Sequence, residues 1–243
     1  MNAMTHVSAV EENSLATVPL LAGLDRTSLT KIEGACTWRT AQEGEQLLNR
    51  DSESRDIFFV LRGRVRIVNY SNTGREIAFA LAGPGDFFGE LAAIDGQPRS
   101  ATVVALEECR LAALPPQAFR ETLERHPPMA MKVLEKLTRI IRTCDDRIMD
   151  LATLSAYQRV YAEILKACRP DPVRMGSWIV YPLPTQAQIA AQASTTRETV
   201  ARVLSQLALD GVADRKSKTL YIRDMTKLKS LCERPPHAHK DEC

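Results

Sequence analysis

TQAQIAAQASTTRETVARVL, residues 185–204, reads as two short helices joined by a turn. Thr185 stands where an N-cap side chain accepts from free backbone N–H groups, and Ser194-Thr195 interrupts the pattern before a second helix opens at Thr196. Ile189 and Ala190, then Val200, Val203 and Leu204, supply the buried face of a helix-turn-helix. That leaves Arg197, Glu198 and Arg202 outside, near the start of the second helix and on one flank, where all three can enter one major groove. An arginine can give two hydrogen bonds to guanine O6 and N7, and a glutamate accepts from the cytosine amino group; each good pair discriminates by about 1–3 kcal/mol. An ordinary amphipathic helix with a solvated, salt-bridged face explains those three charges but not the cap and turn before them, nor the hairpin after Asp210-Gly211 (Gly211 to Ala213, then Thr219 to Ile222).

The charge of the whole chain points the other way. With 32 Lys+Arg against 30 Asp+Glu the 243 residues carry +2, too little for binding nucleic acid by bulk attraction. The stretch from Thr185 to Arg223 alone holds six basic residues (Arg197, Arg202, Arg215, Lys216, Lys218, Arg223) and three acidic ones (Glu198, Asp210, Asp214), so it carries +3 and the remainder −1. Double-stranded DNA is therefore the expected partner, through a local element. At 44% hydrophobic and 26% charged, the composition excludes collagenous, low-complexity and wholly disordered chains and suits one large domain or two modest ones. No apolar run reaches the roughly 18 residues of a spanning helix, and MNAMTHVSAV lacks the basic start and apolar core of a secretory signal, which implies a soluble, cytoplasmic protein with no membrane partner. The six cysteines (Cys36, Cys109, Cys144, Cys168, Cys232, Cys243) form no C-x-x-C pair and read as separate thiols, and the His237, His239 and Cys243 tail reads as frayed polar sequence rather than a metal site.

Upstream, residues 35–114 alternate short β-rich runs with turn signals: IFFVLRGRVRIVNY (57–70) breaks at Arg62-Gly63-Arg64, Asn72-Thr73-Gly74 precedes EIAFAL (76–81), and SATVVALEECRLAAL (100–114) follows. This pattern predicts an antiparallel sandwich or jelly-roll barrel. Pro127-Pro128 then opens a stretch free of Gly and Pro to Pro170, which predicts a long helix. Along it Leu134, Leu137, Ile141, Cys144, Ile148 and Leu151 recur in steps of three and four, the seam of a coiled coil, which implies a homodimer. The seam ends near Ser155, and a second helix pattern runs over 156–167. The expected fold class is α+β: an N-terminal tail (1–18), a β-barrel domain (19–126), a dimerisation helix (127–154), a winged helix-turn-helix domain (155–230) and a C-terminal tail (231–243).

Two motifs, Phe88-Gly89-Glu90-Leu91 with Arg99-Ser100-Ala101 and Thr196-Arg197-Glu198-Thr199-Val200, together resemble the bacterial cAMP receptor protein (Crp-Fnr) family of transcription regulators, in family order from about Pro19 to Arg223. The first suits a cyclic phosphodiester: Gly89 lets the backbone approach, Glu90 can accept from a ribose 2′-OH, Arg99 neutralises the phosphate and Ser100 adds a hydroxyl. The resemblance makes this stretch a phosphate-binding cassette; a Glu90–Arg99 pair serving only the barrel is the plainer alternative. The family's cAMP-binding members present a Thr-Ser pair to the adenine, and here Cys144 and Asp145 stand at those places. A carboxylate only accepts, which suits the guanine N1–H and N2 amine better than adenine, so cGMP is expected over cAMP; a merely solvated Asp145 beside the seam is the rival reading. The resemblance further implies TGTGA-like half-sites, Lys216 and Lys218 on phosphates, and RNA polymerase as a partner. Clustered N-terminal cysteines for an iron–sulfur centre are missing, and His6, His126, His237 and His239 lie outside the pocket strands, so neither that cluster, haem nor a metal is expected. No Ser/His/Asp or Cys/His constellation suggests an enzyme. The alternative kept open is a regulator that binds DNA without a mononucleotide or answers to c-di-GMP.

Overall fold

In the computed structural model, residues 14–72, 74 and 76–233 are described. The chain divides into two compact units, residues 1–71 with 78–140 and residues 72–77 with 141–243.

The first unit opens with a 3-10 turn, Pro19–Leu21, and helix α1, Arg26–Ala35, whose N-cap Asp25 accepts from the Ser28 N–H at 2.8 Å. Strands β1 (Thr37–Ala41), β2 (Gln46–Leu48), β3 (Ile57–Arg62), β4 (Val65–Tyr70), β5 (Glu76–Ala82) and β6 (Phe87–Phe88) lead to the short helix α2 (Glu90–Asp95). Strands β7 (Thr102–Ala105) and β8 (Cys109–Leu114), then helices α3 (Pro116–Arg125) and α4 (Pro127–Thr153), follow. The strands form two four-stranded sheets, in the orders β1-β8-β3-β6 and β2-β7-β4-β5, with every printed pairing antiparallel. Turn chemistry sets the breaks. Gly63, at φ 79°, separates β3 from β4, and a Cβ there would lie 2.4 Å from the Glu108 carbonyl.

Val60, Val65, Phe58, Phe88, Val103 and Leu111 come from both sheets and fill the space between them. The outer side of the β1-β8-β3-β6 sheet is covered by Ile32, Phe119, Met129 and Val133 from the helices. Leu15 and Val18, in the stretch expected to be a tail, are also buried there, and the Leu15 N–H donates to Glu33 at 2.8 Å. Helices α1 and α3 had no counterpart in the sequence expectation. Their apolar residues are few and exist to cap this sheet, so neither helix announces itself by a long periodic stripe.

The second unit continues α4 into α5 (Ala156–Ala167), the break being set by Ser155, whose side chain accepts from the Gln158 N–H while the Gln158 side chain accepts from the Ser155 N–H. After β9 (Arg169–Pro170) and β10 (Trp178–Val180) come α6 (Gln186–Gln192) and α7 (Arg197–Leu209), then β11 (Ala213–Lys216), β12 (Thr219–Ile222) and α8 (Met225–Glu233). The strands form one antiparallel sheet, β11-β12-β10-β9. Val160, Tyr161 and Ile164 of α5, Ile189 and Ala190 of α6, Val200, Val203 and Leu207 of α7, and Leu228 and Leu231 of α8 share one core. Helix α8 was not expected; with Leu228 and Leu231 buried, it extends the folded unit three residues past 230, the expected boundary. His6, Thr73, His237, His239 and Cys243 lie outside the described residues.

Candidate functional site: a nucleotide cradle and a nucleic-acid interface

The sequence Phe88-Gly89-Glu90 places three demands on a few ångströms of backbone. Phe88 ends β6, is 1% exposed, and stacks on Phe58 of β3 with ring centroids 5.1 Å apart. Gly89 turns the chain at φ 85° into α2, a left-handed conformation open to glycine at little cost. A Cβ at Gly89 would lie 2.6 Å from Arg99 Nη1 and 2.9 Å from the Asp56 carbonyl, so the absent side chain makes room for the arginine. Arg99 itself is 3% exposed. Its Nε donates to Ser54 Oγ at 3.0 Å, Nη1 to the Gly89 carbonyl at 3.2 Å and Nη2 to the Asp56 carbonyl at 2.7 Å, and the guanidinium lies 5.7 Å from the Phe58 ring centroid. Burial pulls its pKa down, and the Asp56 charge opposes that. A guanidinium carries five N–H donors and these contacts engage one on each nitrogen, so the cradle fixes the cation and keeps donors for an anion.

Glu90 is 6% exposed, and Lys136 of α4 approaches its Oε2 at 3.6 Å. Leu91 and Ser100 are exposed on either side of the cradle. The Asn69 amide on β4 donates to the Ser100 carbonyl at 3.1 Å. Of the residues expected to bind a nucleotide, the structure therefore gathers Phe88, Gly89, Glu90 and Arg99 into one built site, with Leu91 and Ser100 on its rim. Cys144 and Asp145 belong to the second unit, where both are exposed on α4. Sequence reasoning missed Ser54, Asp56 and Lys136. Two of these act through backbone or a small hydroxyl and leave no side-chain signature, but Lys136 had one: a lysine three residues after the buried Val133, on the inward side of its helix.

The second unit presents a candidate nucleic-acid interface. Thr185 caps α6, its Oγ1 accepting from the Gln188 N–H at 3.2 Å and the Gln188 side chain answering on the Thr185 N–H at 2.8 Å. Thr196 is the N-cap of α7 rather than its first residue, accepting from the Thr199 N–H at 3.3 Å. Between the helices Ser194 adopts φ 50°. Two arginines hold it: Arg147 Nη2 donates to Ser194 Oγ at 2.9 Å, and Arg159 Nε donates to the Ala193 carbonyl at 2.9 Å. Arg197, Glu198 and Arg202 are all exposed at the N-terminal end of α7. The Glu198 carboxyl is held below the usual carboxylate range by its own backbone N–H and the Thr196 hydroxyl, helped by Arg197 and Arg202, so it stays an acceptor. Lys216 ends β11 and Lys218 lies in the two-residue link to β12, both exposed, with Ser217 between them at φ 52°. On α4, Leu134, Ile141, Cys144, Ile148 and Leu151 are exposed, whereas Leu137 is half-buried against the core of the first unit. No described helix is long and apolar enough to cross a membrane, and no group of three or more His, Cys, Asp or Glu among the described residues could hold a metal.

A buried arginine cradle in a β domain, a long helix and a winged helix-turn-helix are the parts of a DNA-binding regulator that carries a ligand-binding domain. Residues 38–126 match the model of the cyclic nucleotide-binding domain and residues 158–231 that of the Crp-like helix-turn-helix domain. The cyclic AMP receptor protein of Thermus thermophilus is 31% identical over 193 residues, covering 79% of this chain and 87% of that protein. The cAMP-activated global transcriptional regulator CRP of Salmonella typhimurium is 25% identical over 178 residues, covering 72% and 84%. Among solved structures, the Thermus thermophilus catabolite activator protein aligns with TM-score 0.51 at 30% identity over 88% of this chain and 98% of that one. The c-di-GMP responsive global regulator CLP of Xanthomonas campestris shares the fold at TM-score 0.65 and 19% identity, over 82% and 99%. The chain belongs to the Crp-Fnr family of transcription regulators, a family of DNA-binding proteins rather than enzymes.

Proposed function

We propose that this chain is a homodimeric regulator whose affinity for a DNA palindrome is set by a cyclic purine nucleotide in the cradle of the first unit. The observation that carries the ligand is Arg99, buried, held by three protein acceptors and given its space by Gly89. A buried cation with donors to spare suits a compact anion, and the neighbouring Glu90 carboxylate would accept from a ribose 2′-OH. The relatives named for cAMP support this class of ligand. We assign cGMP over cAMP because Asp145 offers only acceptors to a base.

Two copies would pair along the exposed apolar side of α4, with Leu134, Ile141, Cys144, Ile148 and Leu151 at the seam and Leu137 shared with the chain's own core. Each second unit would then read one half-site of a TGTGA-like palindrome with Arg197, Glu198 and Arg202, while Lys216 and Lys218 rest on phosphates. We keep the functional boundaries at 19–126, 127–154 and 155–230, with Leu15 and Val18 packing onto the first from just outside it and α8 running three residues past the last, and RNA polymerase is the partner on the promoter. The deciding experiment is a mobility shift on such a palindrome titrated with cGMP, cAMP and c-di-GMP in parallel. Binding promoted at the lowest concentration by cGMP supports the full reading. A cAMP response at lower concentration removes the assignment to Asp145, and binding that needs no mononucleotide or answers only to c-di-GMP removes the ligand.

A further inference from the structure

The cradle has a second, partly buried cation that the phosphate does not need. Lys136 Nζ lies 3.6 Å from Glu90 Oε2, donates to the Phe87 carbonyl, and sits 3.7 Å from the centroid of the Phe87 ring. Its side chain is 23% exposed and the Glu90 side chain 8%. All three contacts are to one short piece of chain, the first residue of β6 and the first residue of α2. An ammonium taken out of water is costly unless it is paired and hydrogen-bonded, and a buried ion pair adds little to stability against apolar residues of similar volume. What such a pair does supply is a fixed position for each partner.

We infer that Lys136 is a positioning residue for the nucleotide ribose: it holds the Glu90 carboxylate where a 2′-OH can donate to it. This deepens the cyclic-nucleotide reading above and rests on it. Without the ammonium, the Glu90 carboxylate would lose the cation beside its Oε2 and swing toward water, which removes the acceptor that tells a ribose from a deoxyribose. The charged groups facing Lys136 are Glu90 and Asp86, which favour its ammonium, and Arg139 on its own helix, which opposes it; burial is the largest influence and holds its pKa below the ordinary lysine value. The lysine belongs to α4, so the helix that carries the apolar seam also carries the group that orients the ribose contact.

The test is calorimetric titration of the full chain with cGMP and cAMP and with their 2′-deoxy counterparts. The wild-type chain should bind each ribonucleotide about tenfold or more tightly than its deoxy form, the size of one charge-assisted hydrogen bond. Lys136→Met keeps the apolar stem over Phe87 and removes the charge. It should shrink that ratio to about threefold or less while leaving the deoxy affinity within about twofold, and Lys136→Arg should restore most of the ratio. Lys136→Gln, a second uncharged variant, should behave as the methionine does. A full ribose preference in both uncharged variants overturns the inference and leaves the function standing. Equal weakening of ribo and deoxy forms also overturns it, because that is the mark of lost packing alone. A wild-type chain that binds no cyclic nucleotide overturns the reading of the site and this inference together.

Discussion

Arg159 holds the turn of the helix-turn-helix, and removing it should loosen the DNA-binding unit without touching α7. Its Nη1 donates to the Leu154 carbonyl at 2.8 Å, its Nε to the Ala193 carbonyl at 2.9 Å and its Nη2 to the Ser194 carbonyl at 3.3 Å. A hydrogen bond from a charged donor contributes about 1.5–3 kcal/mol at best; counting the two short ones, and allowing water to replace part of each at a half-buried site, Arg159→Ala should cost about 2–3 kcal/mol. Urea unfolding reads this directly, because the two tryptophans fall one in each unit, Trp38 in the first and Trp178 on β10 in the second. In a Trp38→Phe background the fluorescence midpoint of the second unit should fall by roughly 1–2 M for an m value of about 1.5 kcal/mol/M. A shift under about 0.3 M would show that water serves these carbonyls as well as the arginine does, and would refute the reasoning. Ser194 supplies the contrast. At φ 50° a serine is strained and a glycine is not, but Ser194→Gly also loses the 2.9 Å bond to Arg147, so the two effects should nearly cancel, while Ser194→Ala should cost about 1 kcal/mol or more.

Gly89→Ala should abolish measurable nucleotide binding and cost about 1–3 kcal/mol of stability, since its Cβ would meet Arg99 Nη1 at 2.6 Å in a left-handed backbone; titration and thermal unfolding together check it. At the DNA face, Arg197→Ala should relax base preference at one position of the half-site by about 1–3 kcal/mol, whereas Lys218→Ala should weaken all sequences alike and reduce the salt slope by about one, as read by binding-site selection and salt titration. Thiol alkylation should separate the cysteines: burial pushes Cys36 up to about 12 and Cys168 up to about 11, so at pH 8 both stay protonated and react far more slowly than in urea, and their rates rise only as the pH climbs toward those values. Cys144, exposed on α4, should label before Cys36, Cys109, Cys168 and Cys232, and if α4 is the proposed dimer seam, mild oxidation should yield a disulfide-linked dimer that Cys144→Ser removes.

What could be seen in the sequence was whatever the chemistry of a side chain dictates locally. Thr185 and Ser155 each have a glutamine three residues on, and both pairs close capping boxes at the positions where helices were expected to start. Gly63 marks a turn because only a residue without a Cβ clears Glu108. Gly89 and Arg99 are ten residues apart in the chain and in contact in space, and their types alone suggested why. The hidden part was of another kind. Helices α1, α3 and α8 are held by the surfaces they cover, so their short sequences carry no sustained period. Ser54 and Asp56 serve Arg99 through a hydroxyl and a carbonyl, roles that many residue types could fill. Leu137 fits the seam by spacing, yet it also meets the core of the first unit, because α4 begins as a covering helix at Met129 and Val133 before its apolar side is left exposed. Spacing records which face a residue is on, not which of two neighbours that face meets.

Those two neighbours explain why one helix is built this way. Lys136 is anchored to the Phe87–Glu90 turn, and Arg147 to the turn at Ser194. Within the second unit, the exposed apolar residues Ile141, Cys144, Ile148 and Leu151 fall on average roughly 80° around the helix from Arg147. Arg147 therefore ties one side of the helix to the turn at Ser194, and the apolar side is left exposed. The near-neutral charge of the chain gives little bulk attraction for DNA, so the attraction must be concentrated in the local element of residues 185–223, which carries +3.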